Sequence, residues 1–225
     1  MATDPVHPVE TITVRVDDLA VAYRSGRGRV RVFEGVRLVA APGQITAITG
    51  PSGSGKTSLL HVIAGIVEPV EGTVEFIADG AAPTARPRIG FVYQDHRLVP
   101  FLTAEENVHL AAEVAGRTLP EPELVSLLQH LGVDGLQRSL PDELSGGEQQ
   151  RVAIARAVAS GAPVLLVDEP TASVDREAAR SIGALFRDLA RSWPVTVLVA
   201  THDPLIIATA DVVVPITARS RRSPR

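Results

Sequence analysis

A single lysine, Lys56, stands in a chain of 225 residues whose other basic side chains, out of 22 Lys and Arg in all, are arginines. It lies in the run GPSGSGKT, Gly50 to Thr57, which continues through Ser58 into an apolar stretch. The spacing fits G-x-x-x-x-G-K-[ST], set after a β-branched segment and before a helix-like one, as a phosphate cradle requires. Its glycines let Gly50, Pro51, Ser52, Gly53, Ser54 and Gly55 wrap closely, with backbone N–H groups converging on phosphate oxygens. The following helix adds the partial positive charge of its N-terminus. Lys56 then reaches the β- and γ-phosphates as a compact point charge, and Thr57 offers a hydroxyl to Mg²⁺. A guanidinium is planar, bulkier and favours bidentate partners, so an arginine suits this tight loop poorly. The run predicts nucleoside triphosphate binding.

Two other places could complete phosphate chemistry. In VLLVDEP, Asp168 ends an uninterrupted apolar segment and Glu169 follows it. Ligands of open α/β sheets gather at such strand ends. There Asp168 could hold Mg²⁺ through water, and Glu169 could orient and polarise an attacking water. In LSGGEQQR, Ser145 with Glu148 three residues later reads as a helix N-terminus, and Gly146 and Gly147 leave its N–H groups open. That is a second potential anion site, about ninety residues from the first.

The elements that must position these groups are legible as alternating strands and helices. TITVRV, LAVAY, VRVFEGVRLVA, ITAIT, GTVEFIA and RIGFVY read as strands. KTSLLHVIAG reads as a helix stopping at Gly65. From Thr103 to about Gly161 nearly every signal is helical: a capping box in TAEENV, an apolar stripe in ELVSLLQHLG, and the helix opened by Ser145. PVLLVDE reads as a strand buried on both faces. Asp175 to Arg191 reads as an amphipathic helix with Ala178, Ile182, Leu185, Phe186 and Leu189 on its stripe. VTVLVAT and DVVVPI close the series as strands. Alternation of this kind predicts an α/β layered core.

Composition narrows the classes. With 45% hydrophobic and 21% charged residues the chain reads as an ordinary soluble globular protein, its 225 residues making one large domain or two small ones. A net charge of −4 gives no basic footprint for nucleic acid. Without cysteine there is no disulfide, no thiolate metal site and no thiol catalysis. No apolar run is long enough to span a bilayer, and MATDPVHPVE lacks the regions of a signal peptide, so a cytoplasmic location is expected.

With LSGGEQQR on the page, the sequence resembles the nucleotide-binding subunits of ABC transporters, from about Ile12 to Ile216. The resemblance implies an α/β fold: a P-loop NTPase (RecA-like) core with a mainly parallel sheet, an N-terminal antiparallel β subdomain and an inserted α-helical subdomain. It divides a single domain, 1–225, into core and β subdomain at 11–94 and 163–216, a helical subdomain at 95–162 carrying the signature, and a basic tail at 217–225. Gln94 in FVYQD resembles the glutamine that touches Mg²⁺ and links core to helices. His202 in VATHDP resembles the histidine that contacts the γ-phosphate. Asp175 in TASVD resembles the aspartate at the dimer seam, although Ser173 and Val174 depart from the commoner S-A-L-D wording. Tyr23 is the candidate to stack on adenine or, equally, a packed strand aromatic, with Phe33 as competitor.

The implied activity is ATP hydrolysis with Mg²⁺, by Lys56, Glu169 and His202. A head-to-tail homodimer would place each ATP between one chain's loop and the other's Ser145, Gly146 and Gly147. The implied partner is a separately encoded integral membrane subunit, with the chain peripheral on the inner face of the membrane. Its docking surface is expected near Gln94 and the apolar run Leu98–Leu102. GRGRVRVFEGV and LSGGEQQRVAIARA look most like the branch handling lipoprotein release and macrolide export. An importer subunit, or a cell-division-type ATPase acting on a membrane protein, remains open as an alternative.

Overall fold

The computed structural model describes residues 10–26, 28–78, 81–193 and 195–217. The basic end RSRRSPR and the first nine residues lie outside them.

Two sheets form. Strands β1 (Ile12–Ser25), β2 (Gly28–Ala40), β4 (Glu71–Ala78) and β5 (Pro83–Thr84) make an antiparallel sheet in the order β2-β1-β4-β5. Strands β3 (Ile45–Thr49), β6 (Ile89–Val92), β7 (Val164–Asp168), β8 (Thr196–Ala200) and β9 (Val212–Pro215) make a parallel one in the order β6-β7-β8-β3-β9. TITVRV and LAVAY, expected as separate segments, run on as the single strand β1. Register shifts against β2 between Val16 and Ala22 let it bend without breaking.

Strands β7 and β8 are buried at every position because both faces are covered, while the edge strand β9 leaves Val213 exposed. Leu165, Val167, Val197 and Val199 join one buried cluster with Val108, Leu128 and Val152 of the helical block and with Ile182, Phe186 and Leu189. Val164, Leu166, Leu198 and Ala200 point the other way, into a cluster with Leu59, Leu60 and Ile63 of α1 (Lys56–Ile63) and with Ile12, Val14 and Phe33. Alternate residues of each strand thus serve different layers, and the antiparallel sheet is roofed onto the parallel one through α1.

Between β6 and β7 lie α2 (Ala104–Val114), α3 (Glu121–His130) and α4 (Gly146–Ala159), with a single 3₁₀ turn at Pro141–Glu143. Both expected capping boxes form. Thr103 N–H donates to Glu106 Oε2 at 2.7 Å and Ser145 N–H to Glu148 Oε2 at 2.7 Å, while each cap hydroxyl accepts from the partner's backbone N–H. Helix α5 (Arg176–Ser192) starts on the Asp175 cap. It buries Ala179 rather than the expected Ala178, because at 100° per residue the stripe centred on Ile182 and Phe186 takes in 179 first. The four-residue helix α6 (Pro204–Ile207) had no periodic signal.

Candidate active site

Every strand of the parallel sheet ends at the same edge. Ile48 lies level with Ala200, and Ala200 with Asp168. The ladder continues one step as Glu169 N–H donates to Ala200 carbonyl at 2.8 Å and Thr201 N–H to Ile48 carbonyl at 3.0 Å. Val92 lies level with Val167, so Gln94 and Glu169 each stand two residues past a paired position. This edge carries residues 50–57, Gln94, Asp168 and Glu169, whereas Tyr23 and Phe33 stand in β1 and β2 of the antiparallel sheet.

The loop after β3 turns on glycine geometry. Gly55 caps α1 at φ +98°, and a Cβ there would lie 2.5 Å from Val32 Cγ1 and 2.7 Å from Phe33 Cδ1. Gly50, at φ +155°, would place a Cβ 2.4 Å from the Ile216 carbonyl oxygen. Lys56 folds back under this loop and is 6% exposed. Its Nζ donates to the Gly50 carbonyl at 3.0 Å and the Pro51 carbonyl at 3.5 Å, and pairs with Glu169 Oε1 at 3.1 Å. The other oxygen of Glu169, Oε2, meets His202 Nδ1 at 2.9 Å. Glu169 itself adopts a left-handed backbone, φ +43°, a strained conformation held by the surrounding ladder.

One residue earlier, Asp168 accepts from the Thr57 hydroxyl at 3.1 Å. Burial pushes the Asp168 carboxyl above its ordinary range, opposed by the Thr57 hydrogen bond. A carboxylate and a hydroxyl this close, at an open sheet edge, are the hard oxygen donors Mg²⁺ takes alongside phosphate and water. Among the described residues no group of three or more His, Asp or Glu is gathered to hold a metal.

The other predicted residues are placed as follows. Tyr23 donates its hydroxyl to Ser58 Oγ at 3.0 Å and leaves its ring partly open, whereas Phe33 is buried. Gln94 is exposed, and no hydrogen bond engages its side chain among the described residues. Asp175 accepts from the backbone N–H groups of Glu177 and Ala178 at 2.8 and 2.9 Å, so its carboxylate caps α5. Ser145, Gly146 and Gly147 make no hydrogen bond to residues 50–58 within the described chain.

Gly146 has a local reason to be glycine. A Cβ there would lie 2.7 Å from the Ser173 carbonyl oxygen, so α4 starts hard against the TASVD segment. At Gly147 a Cβ would meet Ala178 Cβ at an ordinary 3.4 Å. Gly146→Ala is therefore expected to destabilise the chain by about 1–3 kcal/mol in urea unfolding, because backbone must shift. Gly147→Ala should stay within about 0.5 kcal/mol.

A family model described as "ABC transporter" matches residues 33–172, more than half of the chain. The chain belongs to the ABC transporter family. It is 40% identical, over 88% of its length and 91% of the relative's, to the lipoprotein-releasing system ATP-binding protein LolD of Granulibacter bethesdensis. It is 36% identical over 92% of its length to the macrolide export ATP-binding/permease protein MacB of Shigella flexneri, of which it spans 33%. Among solved structures, the ATP-binding cassette MJ0796, dimeric and bound to ADP and Pi after hydrolysis, superposes with a TM-score of 0.77 at 30% identity, over 93% of this chain and 99% of that one. The chain is thus an ABC-type ATPase that powers a membrane transporter. The expected P-loop fold, with its antiparallel and parallel sheets, stands.

Sequence reasoning missed His96, Gln149 and Arg156, which link the Gln94 loop to α4. Each is an unremarked polar residue in its own segment; their meeting depends on how the helical block folds back.

Proposed function

We propose that this ABC ATPase works as a head-to-tail homodimer on the inner face of a membrane, driving an export or lipoprotein-handling partner. The observation that carries the reading is Glu169 held between Lys56 and His202, one residue beyond an Asp168 that bears the Thr57 hydroxyl.

An arriving γ-phosphate would take the place of Glu169 at the Lys56 ammonium, since anionic oxygens compete for the same cation. Glu169, freed on that side, would turn to hold the attacking water, with His202 fixing its second oxygen. The backbone of Gly50–Gly55 and the start of α1, through Ser58, would cradle the phosphates, and the Tyr23 ring would lie against adenine. Mg²⁺ bound by Thr57, Asp168 and Gln94 would neutralise charge between the β- and γ-phosphates. Phosphoryl transfer asks little covalent chemistry of the protein, so positioning and electrostatics carry the rate.

Ser145, Gly146 and Gly147 serve the partner copy's nucleotide in this reading. Asp175, on the next segment, would lie at the same seam. The division into catalytic core, 11–94 and 163–216, helical subdomain, 95–162, and basic tail, 217–225, follows from these roles. Phe101, 77% exposed between β6 and α2, is the apolar anchor for the membrane partner. Among the described residues no helix is long and apolar enough to cross a membrane, so attachment would run through that partner. The LolD and MacB likenesses favour export and lipoprotein handling over import.

Mixing decides the composite site. Lys56→Ala and Ser145→Arg chains are each expected to be inactive alone. Mixed, they regenerate one intact site, from the loop of one chain and the signature of the other, and ATP turnover returns. A mixture as silent as its parents would show that each chain completes its own site.

A further inference from the structure

The loop that carries Gln94 contains two consecutive residues other than glycine in the left-handed region, His96 at φ +58° and Arg97 at φ +50°. Side chains with a Cβ rarely adopt this conformation, so contacts elsewhere must hold it. They come from α4. Arg156 donates to the His96 carbonyl at 2.8 Å and also to the Arg97 carbonyl. His96 Nδ1 hydrogen-bonds Gln149 Oε1 at 3.2 Å, and His96 is buried. On the other side, the Arg97 guanidinium lies 3.9 Å over the Tyr93 ring, which stacks at 4.3 Å on Phe91 of β6.

Gln149 has a second task. Its Nε2 donates to the carbonyls of Pro141, at 2.8 Å, and Leu144, at 3.1 Å, which lead into Ser145. With Nε2 occupied by two acceptors, Oε1 is the atom facing His96, so the imidazole carries its proton on Nδ1 and donates. One side chain therefore grips both the segment before the signature and the loop after Gln94.

We propose that His96 is a positioning residue: through Gln149 it fastens the Gln94 loop to the lead-in of Ser145–Gly147, so that the two move as one piece during turnover. The proposal rests on the roles given above to Gln94 and the signature.

The test uses the full chain and reads kcat and KM for ATP separately. His96→Phe keeps the bulk and loses the donor; Gln149→Leu loses the acceptor together with the Nε2 bonds to Pro141 and Leu144. Each is expected to lower kcat by about two- to thirtyfold, with KM for ATP nearly unchanged because Lys56 and its loop are untouched. The double variant should be no slower than Gln149→Leu, which already lacks the His96 link. His96→Asn should hold kcat near that of the unaltered chain, because the Asn amide can donate in place of Nδ1 and Asn tolerates left-handed backbone better than most residues with a side chain. Multiplying losses in the double variant, an unchanged kcat in His96→Phe, or kcat and ATP binding collapsing together would each overturn it. In the same assay Gln94→Ala and Ser145→Arg report on the underlying reading. If they leave turnover intact, that reading fails; if they abolish it while the His96 variants do nothing, only the His96 proposal fails.

Discussion

Glu169→Gln is expected to keep nucleotide binding and to lower ATP turnover by about 10²–10⁴-fold, the range for loss of a positioned acid–base group. The amide cannot accept a proton from water, yet it matches the carboxylate in shape and can still accept from Lys56. Lys56 retains its bonds to the Gly50 and Pro51 carbonyls, so the loop keeps its form. Because Glu169 pairs with Lys56, replacing its charge with a neutral amide weakens a competitor for the ammonium. ATP affinity should therefore hold or rise, and an ATP-bound dimer should accumulate on size-exclusion chromatography. Turnover equal to that of the unaltered chain would reassign the water-positioning role.

Lys56→Arg should fall nearly as far as Lys56→Ala, although it conserves charge. The ammonium is almost wholly buried between two carbonyl oxygens and one carboxylate, with partners at 3.0, 3.5 and 3.1 Å. A planar guanidinium is larger than that space and presents its donors as a fork. Both variants are expected to lose about 10²–10³-fold in turnover, the cost of removing one preorganised charge contact on the transferring group, together with ATP affinity in equilibrium titration. An arginine variant that binds ATP as tightly as the parent would show that charge alone suffices, and would remove the physical reason for the lone lysine.

The parts of the site legible in the sequence were those whose chemistry is local. Gly50 to Thr57 announces its fold because strand, turn and helix are contiguous and the turn needs glycine. Asp168 and Glu169 were placed because VLLV is apolar on both faces and must end at a sheet edge. Ser145 and Thr103 were placed because each cap lies three residues from its partner. Contacts between distant segments were not legible. The need for glycine at 146 arises from a carbonyl at Ser173, and the left-handed pair at His96 and Arg97 is held from α4. Asp175 shows the same limit from the other side: its capping role in α5 is local, while its expected place at a seam between copies depends on a second chain. The helix Pro204–Ile207, four residues long, is too short to show a period, and the Asp203 cap with Pro204 was its only mark.

The last described strand bears on how the protein could be handled. Ile216 donates its N–H to the Thr49 carbonyl at 2.7 Å, and its own carbonyl oxygen occupies the space beside Gly50 that a side chain would need. The exit of β9 is thus stitched to the root of the nucleotide loop, far from the helical block. A fluorescent label attached at Thr217 itself, one residue past the pinned Ile216, should report nucleotide binding at the loop. Trimming back through Ile216 would unpin the loop itself.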